Sequence, residues 1–195
     1  MNQILWSQDS RMTDFVAGIS GFHLPRWEQI PALGLYMDQV VTVIEEALLP
    51  ILSFTGEAFI TSSMVNNYVK LGMVKKPEKK KYNREHIAGL IVITILKQSL
   101  AIGDIRLGID AVVASQEQGR AYDSFCDYLE RALGIVADGV VSPENRAVVE
   151  LDGDPMIIMA TCSFATKIFA AKMLSIVREG VAEEAPIPEP FAAGK

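Results

Sequence analysis

The sequence predicts an all-α protein, and three observations carry that reading. Apolar residues recur at helical spacing in successive segments. Residues suited to starting helices stand before those stripes: Asp9, Thr61, Asn83 and the pair Asp154-Pro155. Ile87 to Leu96 is apolar nearly all round, the pattern of a central buried helix. Half of the 195 residues are hydrophobic and 22% are charged, so the chain is globular rather than disordered. Its length suits one good-sized domain, or a small one with an appendage.

Taken in order, residues 1–34 form an N-terminal arm and strap. Met12, Phe15, Val16 and Ile19 make a helical stripe that Gly18 and Gly21 end. The following Phe22-His-Leu-Pro-Arg-Trp-Glu-Gln-Ile-Pro31 reads as an ordered strap laid over the body, anchored by Leu24 and Trp27. A second helix is expected from about Leu35 to Leu49, with Pro50 ending or kinking it. Glu45 and Glu46 are neighbours about 100° apart on that helix, which makes them a solvated face rather than an acid–base pair. After a connection over 52–60, Thr61 caps a short helix that ends at Gly72 in the left-handed conformation.

Met73 to Tyr82 contains Pro77 and a run of charges, so it is an exposed loop or a two-stranded wing. Asn83 caps the buried helix. Ile102, Ile105, Ile109, Val112 and Val113 stripe the next one, which ends near Ser115. Ser115-x-x-Gln118 reads as a capping box for a helix with a Tyr122, Phe125, Cys126, Leu129, Leu133, Val136 seam. Ser142-Pro143 and Asp154-Pro155 read as further helix starts. The last helix, about 155–179, is apolar enough to suggest a membrane span. Lys167 and Lys172 fall inside it, each costing roughly 2.5–3.5 kcal/mol at a bilayer centre, so no membrane is expected. From 181 to 195 the sequence reads as a disordered acidic tail.

The functional signal lies in the short capped helix. Ser63, Asn66, Asn67 and Lys70 repeat at i, i+3, i+4, i+7 and share one face, with Met64, Val65, Tyr68 and Leu71 opposite. Small amides and hydroxyls on an outer face are unusual for solvated surface, and asparagine pairs bidentately with adenine in the major groove. Net charge is −6, yet residues 70–85 hold seven Lys/Arg (70, 75, 76, 79, 80, 81 and 84) against two Glu. That is a local +5, leaving −11 elsewhere. A basic face on an acidic body is what a phosphate backbone senses.

These residues carry two resemblances. Tyr68 and Gly72, then Met73-Val74, Pro77 and Lys80-x-Tyr82 before the next helix, resemble the winged helix-turn-helix of MerR-type regulators. Leu100-Ala-Ile-Gly-Asp-Ile105 is similar to that family's turn into its following helix. Leu24-Pro-Arg-Trp-Glu, Tyr36-Met-Asp-Gln-Val and Asn66-Asn-Tyr-Val-Lys through His86-Ile87 resemble the bacterial YkrK-like family, to which no activity is attached. The chain departs from the MerR pattern in three places. Asn66 stands where those regulators carry an arginine, an arm and strap precede the domain, and the link into the reading helix is long.

The resemblance implies a MerR-like winged helix-turn-helix over 35–115, with Tyr68, Gly72 and Tyr82 as structural residues. It leaves 116–180 as a C-terminal helical part for dimerisation or sensing. The expected function is a DNA-binding transcriptional regulator, a cytoplasmic homodimer on double-stranded DNA. Ser62, Ser63, Asn66, Asn67 and Lys70 would meet base edges and phosphates; Lys75, Lys76, Lys79, Lys80, Lys81 and Arg84 would meet the backbone. The alternative is a helical protein-interaction or effector-sensing module without DNA binding. A small apolar effector between the C-terminal helices is compatible with either.

No enzyme is expected. P-loop, G-x-G-x-x-G, G-x-S-x-G and H-E-x-x-H patterns are absent, so no catalytic residue and no cofactor is assigned. His23 and His86 are far apart, and His86 reads as a structural hydrogen-bonding residue. Asp123, Asp127 and Glu130 recur at i, i+4, i+7 but have no convergent partner for a metal. Cys126 and Cys162 are expected to be free thiols in a reducing compartment, and no secretory signal is expected at the N-terminus.

Overall fold

The computed structural model describes residues 6–55, 58–142 and 152–184. Among these residues there are seven α-helices and no strand, so the protein is all-α. The helices are α1 (Ser10–Ser20), α2 (Met37–Leu52), α3 (Ser62–Lys70), α4 (Arg84–Leu96), α5 (Ile102–Ser115), α6 (Gln118–Val141) and α7 (Pro155–Glu184). Short 3-10 turns lie at Trp6–Gln8, Trp27–Gln29 and Ser53–Thr55.

The apolar run of α4 makes it the axle of the molecule. Ile87, Leu90, Ile91, Ile93 and Ile95 have no exposed surface, and α2, α5, α6 and α7 all pack against the helix. Each such side chain contributes about 1.5–3 kcal/mol of burial energy, which fixes α4 before any polar contact is counted. One continuous core runs from Met12 to Ile176. The α6 seam of Phe125, Cys126, Leu129 and Leu133 is buried, as is the α7 face of Ile157, Phe164, Ile168 and Phe169. α7 is long and apolar enough to meet the dimensions of a membrane span, but that face lies inside the bundle, packed with α6. Both cysteines are free thiols, Cys126 buried and Cys162 half-buried.

Local chemistry accounts for most helix ends. Asp9 accepts from Arg11 N at 2.9 Å and starts α1. Asp154 Oδ1 accepts from Met156 N at 2.9 Å, with Pro155 in the first helical position. Asn83 accepts from His86 N at 3.3 Å while Asn83 N donates to His86 Nδ1 at 3.1 Å, so His86 has the structural role expected of it.

Tertiary packing overrides other expectations. α2 continues through Pro50 to Leu52, because Ile51 and Leu52 are fully buried. Their burial offsets the roughly 3 kcal/mol of a proline inside a helix. Ser115 does not cap α6. It remains in α5 with its hydroxyl on Val112 O, and Glu117 caps α6 by accepting from Gly119 and Arg120 N–H groups at 2.9 Å. Ser142 closes α6, and Pro143 lies outside the described residues. The expected acidic tail begins as helix through Glu184; residues 185–195 lie outside the described residues.

Candidate nucleic-acid interface

α3 is held at both ends by groups from outside itself. Thr61 Oγ1 accepts from Met64 N at 3.2 Å, and Lys97 Nζ donates to Phe59 O and Met64 Sδ just beside that start. At the other end Gly72 takes φ +70°, a conformation that would strain any side chain. Met73 N bonds back to Tyr68 O at 3.0 Å, and Arg106 of α5 donates to Leu71 O at 2.6 Å. Val65 and Tyr68 are buried, and burial pushes the Tyr68 phenol up. Leu71, expected on the buried side, is 43% exposed because it lies past the last helical turn.

The opposite face is exposed at Ser63, Asn66, Asn67 and Lys70, with Ser62 half-buried. Among the described residues these five side chains have no hydrogen-bond or ion-pair partner. An exposed helix face normally engages some of its polar groups locally, through (i, i+4) pairs. This one presents them unpaired.

Behind α3 the chain forms a tight hairpin turn rather than a two-stranded wing. Lys81 N donates to Glu78 O at 2.8 Å, and between them Lys79 and Lys80 take φ +50° and +64°. Two consecutive positive φ values are the geometry of a type I′ turn, which favours Asn-Gly. Lysines held there cost about 1–2 kcal/mol each, and both ammonium groups sit at the exposed tip. The base of the turn is pinned by the strap. Leu35 and Tyr82 exchange backbone hydrogen bonds of 2.8 Å, and a Cβ on Gly34 would fall 2.9 Å from Lys81 Cβ. Tyr82 itself is buried.

The basic residues therefore divide into two groups. Arg84 donates to Glu28 at 2.8 Å and to Ile30 O at 3.0 Å, lies 5.8 Å over the Trp27 ring, and keeps 19% of its side chain exposed. Lys75 pairs with Glu85 at 2.9 Å, and Lys81 stands over Tyr36. Lys70, Lys76, Lys79 and Lys80 are exposed and make no ion pair among the described residues.

The acidic repeat on α6 receives the strap. Glu130 accepts from Leu24 N at 3.0 Å, from Arg26 at 2.6 and 2.9 Å, and binds His23 Nδ1 at 2.8 Å. Asp123 accepts from Trp27 N at 2.7 Å, Asp127 pairs with Arg26 at 2.9 Å, and Tyr122 donates to Pro25 O at 2.9 Å. Burial pushes the Glu130 carboxyl up, but Arg26, His23 and the Leu24 N–H outweigh it and hold it below its usual range. Burial raises the neighbouring Cys126 thiol to about 12, leaving it unreactive at neutral pH. Leu24 is 2% exposed, and Trp27 packs against Gly119, where a Cβ would lie 3.0 Å from the indole.

Sequence reasoning located the α3 face and the basic run. It missed Arg106 as a cap for α3, Glu28 and Ile30 O as the partners of Arg84, and the strap as the partner of Asp123, Asp127 and Glu130. Spacing carried no signal for contacts between residues 35 to 107 positions apart. No curated protein and no solved structure matches the chain. A family model described as a domain of unknown function, DUF1836, matches residues 25–125, from the strap into the first third of α6. That span is half of the protein and contains all of α3 and the basic turn, and the chain belongs to the DUF1836 family.

Proposed function

We propose that the protein is a DNA-binding transcriptional regulator that reads duplex DNA with α3 and holds the backbone with the lysine turn. The observation that carries this reading is the unpaired α3 face, Ser63, Asn66, Asn67 and Lys70, in a helix capped at both ends. Side chains without internal partners lose no protein hydrogen bond when they meet base edges. The rigid caps reduce the ordering cost of binding. Lys76, Lys79 and Lys80 supply sequence-independent contacts to phosphates, and the resemblance of this segment to MerR-type regulators suggests the docking pattern. Arg84, Lys75 and Lys81 are left out of this role, being engaged by the strap, Glu85 and Tyr36. The regulator acts as a cytoplasmic homodimer, since a palindromic site needs a two-fold reader. Leu174 (55% exposed) and Val177 (38%), one turn apart on α7, are apolar residues suited to that contact.

Fluorescence anisotropy on the DNA upstream of its own gene and on a scrambled duplex tests the reading. Four free lysines give a slope of log K against log salt of about −3 to −4. Lys79→Ala with Lys80→Ala weakens binding to both duplexes, whereas Asn66→Ala with Asn67→Ala weakens it mainly on the native one. Absence of wild-type binding even at low salt defeats the proposal and favours an interaction module.

A further inference from the structure

Between α4, α5, α6 and the first turns of α7 lies a cavity of about 570 Å³. Small-molecule pockets span roughly 300–1,000 Å³, so one drug-sized ligand fits. Its walls are almost wholly apolar, with Val92 and Leu96 from α4, Ile105 and Val112 from α5, and Phe125 and Ile157 from α6 and α7. Asp104, at the exposed start of α5, is the one charged residue on the lining among the described residues.

Two glycines keep this space open. Gly89 lies inside α4, where glycine costs about 1 kcal/mol relative to alanine, and a Cβ there would meet nothing within 4 Å. Gly108 faces it from α5, where a Cβ would meet Met156 Sδ alone, at 3.5 Å. A chain selected only for packing would fill both positions. The low exposure of part of the cavity's wall argues for a small molecule over a docked protein. Ile105, Phe125 and Ile157 on its wall are themselves 1–6% exposed, out of reach of another protein's surface. A second copy would touch the rim, at Val113 (42% exposed), Met156 and Met159 (51% each).

α5 is the wall free to respond. Ile105 is its single buried residue, and Leu107 and Val113 are exposed at 70% and 42%. Ile105, Ile109, Val112 and Val113 of its helical stripe line the cavity, and Ile105 also joins the core. The same helix carries Arg106, which caps α3 at Leu71 O, and its Ile109 and Val113 border a second hollow with Val69 and Gly72 at the end of α3.

We propose that this cavity is a binding site for one small apolar molecule without negative charge, and that its occupancy shifts α5 and, through Arg106, the C-terminal end of α3. An apolar cavity gains little from water and accepts apolar guests. The ligand is uncharged or cationic because a carboxylate would meet Asp104 and nothing to pair with. Only the consequence for DNA rests on the function proposed above; the site and the movement do not.

Titration of the full chain with N-phenylnaphthylamine, a neutral apolar fluorophore, tests both parts. The expected result is saturable one-to-one binding, weakened about tenfold or more by Gly89→Leu and by Gly108→Leu. Thermal unfolding identifies any variant that fails to fold, and the other then decides. Probe binding should also change amide hydrogen exchange at residues 69–74 in wild type, and less so in Arg106→Ala, which still binds the probe. No saturable binding by wild type, or undiminished binding by a folded Leu variant, overturns the site. Binding that disappears when sedimentation shows the protein dimerised assigns the cavity to a second copy and overturns it too. Binding that leaves exchange at 69–74 unchanged overturns the link to α3.

Discussion

The acidic repeat of α6 and the basic run behind α3 look alike as sequence: charged residues of one sign clustered on or beside a helix. In the folded chain they are opposites. Asp123, Asp127 and Glu130 each bind the strap, and Glu130 alone meets two backbone or side-chain groups besides Arg26. The α3 face and Lys70, Lys76, Lys79 and Lys80 have no partner among the described residues. Charge satisfied inside a protein serves its structure, and charge left exposed and unpaired on a fixed backbone is available to something else. The dividing line runs through the basic run itself, since Arg84 falls on the strap's side of it.

That contrast yields a graded set of expectations for stability. Glu130→Ala strands the partly buried Arg26 and the Leu24 N–H, and should cost about 2–3 kcal/mol in urea unfolding after allowing for their partial exposure. A loss under about 0.5 kcal/mol would erase the distinction between the regions. Acid titration reads the same contacts. Glu130 has a folded pKa below its unfolded value of 4.5, so its contribution is complete above that pH and is lost as pH falls through the folded value. Glu130→Gln should flatten that part of the stability profile.

His86 acts in a higher window. Burial lowers its pKa from 6.5, so the unfolded chain takes up the proton first and stability declines as pH falls below 6.5. His86→Gln should remove this decline while Glu130→Gln should not, as chemical denaturation at pH 7.5 and 5.5 would reveal. Further down the scale, Lys80→Gly relieves a left-handed lysine but loosens the unfolded chain, for a net gain of about 0.5 kcal/mol. The same variant should bind DNA more weakly, so stability and affinity move in opposite directions. The smallest effect belongs to Asn66→Gln with Asn67→Gln. Stability should stay within about 0.5 kcal/mol, because those amides hold nothing in place, while discrimination between native and scrambled duplexes falls.

Features that depend on near neighbours were legible in the sequence alone. Helical periods marked α1 to α3, α5 and α6, apolar composition marked α4 and α7, and Asp9, Thr61, Asn83 and Asp154 marked starts, because a cap bonds an N–H only two or three residues away. Gly72 marked the end of α3 because glycine alone takes φ +70° without strain. The outward face of α3 was legible for the same reason: the 3.6-residue period needs no partner to be read. Features that depend on a distant partner were set by packing. It carried α2 past Pro50 by burying Ile51 and Leu52, and it left part of the α5 stripe lining a cavity, which periodicity cannot distinguish from core. It brought Arg26 to Glu130 across 104 residues, and it drew Arg84 onto the strap while leaving Lys79 and Lys80 exposed. A charge's role follows from whether the fold brings it a partner, and that is set by the packing of the whole chain.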